Sequence, residues 1–332
     1  MKYWVMAACV WLGAALGVVS PVRADSSAAK LTPVGEHLVV EVKPDRIVLM
    51  EIQQSGKRLV AVGERGFALL SDDGGQHWKA VSTPVTRTLT GVAFRDDKVG
   101  VAVGHGGKMV RTENGGDSWS EVKVSEIGVE SFLGVTYLGG DHFIAYGAFG
   151  NYFDSADAGR TWTKRMVVGD DFDRHISQVV RVDDSLLMVA ESGTIARSED
   201  DGTTWETIDS PYQGSFFGAL RLKDGALLIY GMRGNVYRSA DAGETWTKVP
   251  IDTTSSLMGG VQFADGRVLL VGNSGLLAVS HDDGQTLELH WSPDGQGFSS
   301  AVEAAGNVIL VGETGVTKLD PAWLADRKSA AR

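Results

Sequence analysis

The sequence predicts an all-β fold, a seven-bladed β-propeller built from four-stranded antiparallel blades. Three observations lead to this prediction. A motif of the form Ser/Thr-x-Asp-x-Gly-x-x-Trp occurs six times, at intervals of 41 or 43 residues. A Gly-x-x-Gly step precedes each copy and occurs a seventh time near the carboxyl terminus. Four short apolar runs accompany each copy, and a period of about 40 residues with four strands per unit is typical of propeller blades.

The motif itself is predicted to shape the hairpin turn between the third and fourth strands of a blade. Its hydroxyl and carboxylate accept hydrogen bonds from turn amides, its glycine adopts a conformation that a Cβ would resist, and its tryptophan fills space between blades. Asn114 replaces the aspartate in the second copy, and Leu287 replaces the tryptophan in the sixth. The structural motif residues are Ser71, Asp73, Gly75, Trp78, Thr112, Asn114, Gly116, Trp119, Ser155, Asp157, Gly159, Trp162, Ser198, Asp200, Gly202, Trp205, Ser239, Asp241, Gly243, Trp246, Ser280, Asp282 and Gly284.

Residues 89–124 show the order of elements within one unit. Apolar runs at Gly91–Phe94, Val99–Val103, Lys108–Thr112 and Trp119–Val124 are separated by turn residues. No helical periodicity lies between them, so four short strands are expected. The seven Gly-x-x-Gly steps, one of them with alanine first, are Gly63–Gly66, Gly104–Gly107, Gly147–Gly150, Ala190–Gly193, Gly231–Gly234, Gly272–Gly275 and Gly312–Gly315.

The seventh unit is incomplete, since residues 298–319 supply only three strands. We expect its outer strand to come from His37–Val42, so that the N- and C-terminal strands close the ring. Joining the chain ends in one blade would remove a free sheet edge.

Residues 1–24 are predicted to be a signal peptide that is removed on export. An apolar run of 17 residues, Tyr3–Val19, follows Lys2, and Pro21 and a small-residue cleavage site precede Asp25. An uncleaved anchor is the alternative, although the run is shorter than the roughly 20 residues that span a bilayer. Residues 25–322 then form one propeller domain without a membrane span, and 323–332 form a tail.

The cysteine content and the net charge limit which compartments and which partners are expected for the protein. The only cysteine, Cys9, lies in the signal, so no disulfide is expected, which fits a bacterial periplasm or a thylakoid lumen. The chain has 31 basic and 42 acidic residues, a net charge of -11. This acidic balance argues against nucleic-acid binding. We also expect a monomer.

The motif resembles the Asp-box, or BNR repeat, of sialidases and related propellers. The longer unit RLVAVGERGFALLSDDGGQHW, with TLTGVAF and VGVAVGHGGKMVRTENGGDSW, resembles the photosystem II stability and assembly factor-like family over roughly residues 45–320. The resemblance implies an exported, non-catalytic propeller that binds newly made membrane-protein subunits as an assembly chaperone. Many bacterial relatives lack a photosystem, so an accessory role in an envelope transport or secretion complex is an alternative.

Strand order predicts two faces: an Asp-box face, and a Gly-x-x-Gly face that also carries the connections between blades. The two residues inside each Gly-x-x-Gly step differ from blade to blade, so a binding site is expected there, by analogy with other propellers. The alternative is that these turn tips are merely solvated. Arginine and aromatic residues are enriched at interfaces. The candidate partner-binding residues are Glu64, Arg65, Arg87, His105, Phe149, Arg174, His175, Glu191, Arg233, Asn273 and Glu313.

Two other kinds of site are considered and disfavoured. A sialidase-like enzyme would use an arginine triad and a tyrosine paired with a glutamate. Arg46-Ile47-Val48 only partly matches the sialidase Arg-Ile-Pro signature, and Tyr146 and Tyr230 have no obvious glutamate partner. SDDGGQHW loosely resembles a calcium loop but lacks the bidentate glutamate. We therefore expect no catalytic residue, no metal and no cofactor.

Overall fold

A computed structural model describes residues 43–169 and 171–320. Within them, 27 β-strands form seven antiparallel sheets, six of four strands and one of three. The predicted all-β class and seven-bladed propeller are confirmed. Across the described segments, no helix is long and apolar enough to span a bilayer. The predicted signal peptide, the strand at His37–Val42 and the C-terminal tail lie outside the described residues.

Each blade is a meander whose strands follow chain order, with the first strand innermost. The strands of the first three blades are β1 (Leu49–Ser55), β2 (Arg58–Gly63), β3 (Phe67–Ser71) and β4 (Lys79–Ser82); β5 (Leu89–Phe94), β6 (Gly100–Gly104), β7 (Lys108–Thr112) and β8 (Ser120–Glu121); and β9 (Phe132–Gly139), β10 (His142–Gly147), β11 (Tyr152–Ser155) and β12 (Thr163–Arg165). Those of the other four are β13 (Ile176–Val182), β14 (Ser185–Ala190), β15 (Ile195–Ser198) and β16 (Glu206–Ile208); β17 (Phe216–Arg221), β18 (Leu227–Gly231), β19 (Val236–Ser239) and β20 (Thr247–Lys248); β21 (Leu257–Gln262), β22 (Val268–Gly272), β23 (Leu276–Ser280) and β24 (Glu288–Trp291); and β25 (Phe298–Ala304), β26 (Asn307–Gly312) and β27 (Gly315–Leu319).

Short 3-10 turns occupy six of the seven Gly-x-x-Gly steps. They are Glu64–Gly66, His105–Gly107, Ala148–Gly150, Glu191–Gly193, Met232–Gly234 and Asn273–Gly275, and a further 3-10 turn, Ser125–Ile127, lies in the connection between the second and third blades.

The first strands close the ring. Each contacts the first strand of the next blade, and β25 contacts β1. Ser299 Oγ donates a hydrogen bond to the carbonyl of Leu49 at 2.8 Å, and Ser300 Oγ donates to Glu51 Oε1 at 2.7 Å. The last and first blades are therefore joined as the other neighbours are.

The core consists of seven apolar layers, one between each pair of neighbouring blades. Side chains of a strand alternate between its two faces. In β2, Val60 and Val62 pack against the second blade, whereas Leu59 and Ala61 pack against the seventh. The middle strands are buried on both faces, which explains their continuous apolar sequences.

At the Gly-x-x-Gly step of each four-stranded blade, the turn itself contacts two other backbone segments, one before the first strand of the blade and one after the fourth. A Cβ on Gly63 would lie 2.1 Å from the carbonyl oxygen of Val48, which precedes the first strand. A Cβ on Gly66, whose φ is +71°, would lie 1.9 Å from the carbonyl oxygen of Val85, which follows the fourth. Glycine is thus needed at both ends of this turn because backbone from both neighbouring segments approaches it.

The seventh blade receives the start of the described chain at the corresponding place. The amide of Val316 donates a hydrogen bond to the carbonyl of Pro44 at 3.0 Å, and a Cβ on Gly315 would lie 1.8 Å from that oxygen. Pro44 therefore takes the place that Val85 has beside Gly66. His37–Val42 precedes this point, and its role as the fourth strand stays a prediction.

Candidate functional site

Each Asp-box motif is held by hydrogen bonds between its own residues. In the first copy, Ser71 Oγ accepts from the amide of Gly75 at 2.9 Å, and Asp73 Oδ1 accepts from the amides of Gln76 and His77 at 3.0 and 2.9 Å. The equivalent hydroxyl–glycine bonds of the other copies are 2.7–3.0 Å long. The hydroxyl and carboxylate therefore satisfy turn amides that lack a sheet partner.

The aspartate carboxylates are fully engaged within the turns. In four copies the second oxygen accepts from a threonine hydroxyl at 2.6–2.7 Å. The hydroxyl and amide of Thr245 lower the pKa of Asp241 to about 2. The amide and imidazole of His77 likewise hold the pKa of Asp73 well below its usual range. Among the described residues, no three His, Cys, Asp or Glu side chains gather in a metal-ligating group.

The tryptophans cover the hairpins and pack between blades. The indole nitrogens of Trp78, Trp162 and Trp205 donate to the carbonyl of their motif glycine at 3.1–3.2 Å. Trp119 packs edge-on against Phe94 in the layer between the first two blades. These contacts tie the tryptophans to their own hairpins and to the apolar layers between blades.

Arginines on the Asp-box face join neighbouring blades, a contact that sequence reasoning missed. Arg111 Nε donates to the carbonyl of Ala158, in the next motif, at 2.6 Å, and Arg238 Nε donates to that of Asp283 at 2.8 Å. We call such residues arginine latches; they are Arg58, Arg111, Arg197 and Arg238. Each also pairs with a carboxylate.

On the Gly-x-x-Gly face, the second variable residue of most turns has a left-handed backbone. φ is 58° at Arg65, 54° at Phe149 and 57° at Arg233. This conformation costs non-glycine residues roughly 1–2 kcal/mol. All three side chains are exposed, and Phe149 is 56% exposed.

Four of the predicted site residues come together between the third and fourth blades, and we call them the Phe149 cluster: Phe149, Arg174, His175 and Glu191. The rings of Phe149 and His175 lie 4.8 Å apart, and His175 Nδ1 lies 2.8 Å from Glu191 Oε2. Glu191 Oε2 also accepts from the His175 amide at 3.3 Å. These hydrogen bonds, with the charges of His175 and Arg174, lower the pKa of Glu191.

The other predicted site residues lie at separate points around the ring. Glu313 Oε2 accepts from the amide of Gly297 at 3.0 Å, as Glu191 does in its own blade. His105 Nδ1 lies 3.2 Å from Ser131 Oγ. Arg65 Nε lies 3.6 Å from Glu64 Oε1, Arg87 lies beside the turn at Gly106, and Arg233 and Asn273 are exposed on their turns.

The two faces differ in their arginines. The latches, like Arg95 and Arg221 beside them, pair with carboxylates on the Asp-box face. Arg87, Arg174 and Arg233, on the opposite face, have no carboxylate within ion-pair distance among residues 43–169 and 171–320.

Exposed apolar side chains show the same asymmetry. In the described part of the chain, the large apolar residues that are exposed are Val129, Phe149, Met166, Met258 and Trp291. All five lie in Gly-x-x-Gly turns, in connections between blades or at strand ends on the Gly-x-x-Gly face.

The two tyrosines considered for a sialidase-like site line the central channel. The carboxylate that shares the channel with them is Glu51, which sequence reasoning did not select. Burial and the charge of Glu51 raise the pKa of Tyr146 and Tyr230, the opposite of what an activated nucleophile needs. The described lining contains one arginine, Arg181, and it is bound to Asp201.

The family model of the photosynthesis system II assembly factor YCF48 matches residues 70–258. The chain belongs to this family. Solved structures similar to it include two described as YCF48. "YCF48 bound to D1 peptide" is 18% identical with a TM-score of 0.68, covering 86% of this chain and 98% of the other. YCF48 from Cyanidioschyzon merolae is 17% identical with a TM-score of 0.68, covering 85% and 98%.

The fold is also shared with enzymes. Selenomethionine-substituted virginiamycin B lyase from Staphylococcus aureus is 12% identical with a TM-score of 0.71, covering 85% of this chain and 97% of the lyase. No curated protein sequence matches the chain. At these identities the likeness shows the propeller fold, and function depends on the site.

Proposed function

We propose that this YCF48-family protein is a non-catalytic factor that binds membrane-protein subunits on its Gly-x-x-Gly face and acts in their assembly or stability. It would act after export, in a bacterial periplasm or, in a photosynthetic host, in a thylakoid lumen. The observation that carries the proposal is the asymmetry of the two faces. The exposed large apolar side chains and the arginines without carboxylate partners lie on the Gly-x-x-Gly face.

This combination suits a protein interface. Exposed apolar patches commonly mark interaction sites, and arginine without a partner is ready to form paired hydrogen bonds with a carboxylate. The Phe149 cluster places an exposed aromatic ring next to the guanidinium-bearing residue Arg174. Aromatic residues and arginine supply most of the binding energy at interfaces.

Two further observations support the proposal. One structural neighbour is described as bound to a D1 peptide, which is a precedent for peptide binding by this fold. The channel tyrosines have raised pKa values, and the described lining around them contains a single arginine, which disfavours sialidase chemistry.

The test is to replace Arg65, Arg87, Arg174 and Arg233 with glutamate together. We expect capture of partners from solubilised host membranes to weaken at least about tenfold, because each lost charged contact is worth roughly 1.5–3 kcal/mol. The melting temperature should barely change, since these side chains make no more than one exposed ion pair in the fold. Mass spectrometry of the captured proteins would distinguish a photosystem subunit from an envelope complex.

A matched control distinguishes the effect of changing the Gly-x-x-Gly face from the effect of changing the net charge. The pair Arg174→Glu and Arg233→Glu is compared with Lys57→Glu and Lys98→Glu, which change the charge equally on exposed turns of the Asp-box face. Equal loss of capture in both pairs, or capture that survives all four arginine changes, would show that the face is wrongly assigned. Turnover of a fluorogenic sialoside by the purified protein would contradict the non-catalytic proposal.

A further inference from the structure

The central channel contains a cavity of about 660 Å³ lined mainly by the first strands. Every first strand has a β-bulge near the Gly-x-x-Gly face. Four of the seven bulged residues are large and apolar, and they line the mouth of the cavity on that face: Met50, Leu133, Phe217 and Met258. The next residues inward are Glu51, Gly91, Gly134, Gln178, Gly218, Gly259 and Ser300.

Two tyrosine side chains lie against residues of this inner set at positions where glycine leaves room for them. Tyr146 pairs with Gly134 and Tyr230 with Gly218, and a Cβ on either glycine would lie 2.4–2.5 Å from the tyrosine ring. The other five blades have valine where these blades have tyrosine. The repeat therefore folds without these hydroxyls, and their presence in two blades needs another explanation.

The hydroxyls have spare hydrogen-bonding capacity. Tyr146 Oη lies 3.2 Å from Thr136 Oγ1. Tyr230 is almost fully buried, lines the cavity and has no hydrogen-bond partner among the described residues.

Glu51 is the carboxylate that lines the cavity in the described part of the chain, and no cation pairs with it. It accepts hydrogen bonds from Ser300 Oγ at 2.7 Å and from the amide of Ile52 at 3.0 Å. The other charged group of the lining, Arg181, is bound to Asp201 at 2.7 Å and to the carbonyl of Leu138 at 3.1 Å. Tyr137, Tyr146 and Tyr230 are the remaining titratable groups there.

We propose that this cavity binds an alkylammonium group. The ammonium contacts Glu51 and the tyrosine hydroxyls, and the alkyl chain lies against the four apolar residues at the mouth of the cavity. An ammonium has three donors and no acceptor, so it matches a lining that offers a carboxylate and phenol oxygens as acceptors. Its positive charge also stabilises the ionised form of a carboxylate that is buried away from water. Methionine and aromatic side chains adapt to an aliphatic chain or cation. An anion would be repelled by Glu51.

The test compares three probes of similar size, n-butylammonium, butyrate and 1-butanol, titrated by calorimetry or ligand-detected NMR. We expect n-butylammonium to bind with a dissociation constant near about 1 mM, as suits so small a ligand, and at least about tenfold more tightly than the other two. Glu51→Gln should weaken its binding at least about tenfold, and Tyr230→Phe several-fold. Glu206→Gln, an exposed residue on the outer strand of the fourth blade, is the matched control and should have no effect.

The pH dependence gives a second readout. Burial raises the pKa of Glu51 to about 7, so protons should compete with the ammonium, and its affinity should fall as the pH is lowered below that value. A lysine-containing peptide and its Nε-acetylated form identify the source. Binding of n-butylammonium without binding of the unacetylated peptide indicates a small metabolite, whereas binding of the unacetylated but not the acetylated peptide indicates a partner's lysine.

Three results would overturn the inference: equal binding of the three probes, full binding by Glu51→Gln, or no saturable binding of either amine source at millimolar concentration. The arginine substitutions described above leave the cavity lining unchanged, so this result is independent of partner capture.

Discussion

At the scale of single residues, Glu51 is a position where one blade carries a charged side chain that the repeated fold does not require. The equivalent residues in other blades are glycine, glutamine or serine. A carboxylate held there is desolvated and gains only the hydrogen bonds from Ser300 and its own strand. Such a group lowers stability when it ionises, which a functional role would justify.

This residue should give the protein a measurable pH dependence of stability. The pKa of Glu51 is about 7 in the folded protein and 4.5 in its ordinary state, so the folded state binds more protons between these values. The free energy of unfolding should therefore fall as the pH rises from about 4.5 to 7, by at most about 3 kcal/mol. Glu51→Gln cannot ionise and should lack this part of the decline. Urea unfolding at about pH 5 and 8 measures it, with Glu206→Gln as control. A Glu51→Gln variant with the same decline as the wild type would show that Glu51 ionises normally.

At the scale of secondary-structure elements, the arginine latches explain how the Asp-box hairpins of successive blades are tied together. The latch of the second blade is Arg111, which is 8% exposed and bonds to both Ala158 and Glu113 at 2.6 Å. Its guanidinium thus stabilises a hairpin in the next blade as well as its own.

Removing a latch should cost more than removing an ordinary surface ion pair. We expect Arg111→Ala to lower the free energy of unfolding by about 2 kcal/mol, because a buried hydrogen bond to a charged group is lost. Arg165→Ala, which breaks a half-exposed pair with Asp154 at 3.1 Å, should cost less than about 1 kcal/mol. Denaturant unfolding of both variants makes the comparison. Equal losses of unfolding free energy in the two variants would show that the latch contributes no more than an ordinary surface ion pair.

The hairpins were predictable from the sequence, and the latches were not. Glycine, aspartate and serine at fixed spacing determine a turn locally, so the order of strands and the turns at Ser71 and Gly63 follow from a single repeat. Arg111 contacts a residue 47 positions away in another unit, and within the described part of the chain four blades have a latch while the others do not. Glu51 follows the β-bulge at Met50, and the channel tyrosines pair with strands that are bulged at Leu133 and Phe217; each bulge shifts the register by one residue. Replacement of valine by tyrosine in two repeats was the available signal for that site.

At the scale of the whole molecule, the ring has an Asp-box face whose arginines pair with carboxylates, and a Gly-x-x-Gly face where Arg87, Arg174 and Arg233 have no carboxylate partner among the described residues. The repeated residues are engaged in turns, latches and apolar layers. The residues that vary between blades, including the Phe149 cluster, lie on the Gly-x-x-Gly face. The fold is shared with a lyase, and function depends on the site that a fold carries.

The seventh blade provides the test of closure, because β27 has no fourth strand beside it within the described residues. The amide of Val316 donates a hydrogen bond to the carbonyl of Pro44, and the preceding segment, His37–Val42, is predicted to supply the missing strand. Deleting His37–Val42 should lower stability by roughly 1 kcal/mol per lost backbone hydrogen bond and should promote self-association through the open edge. Thermal unfolding and size-exclusion chromatography with light scattering measure both effects, and deletion of residues 25–30 is the length-matched control. Unchanged unfolding together with a monomeric profile would show that the first strands close the ring without help from the N-terminal segment.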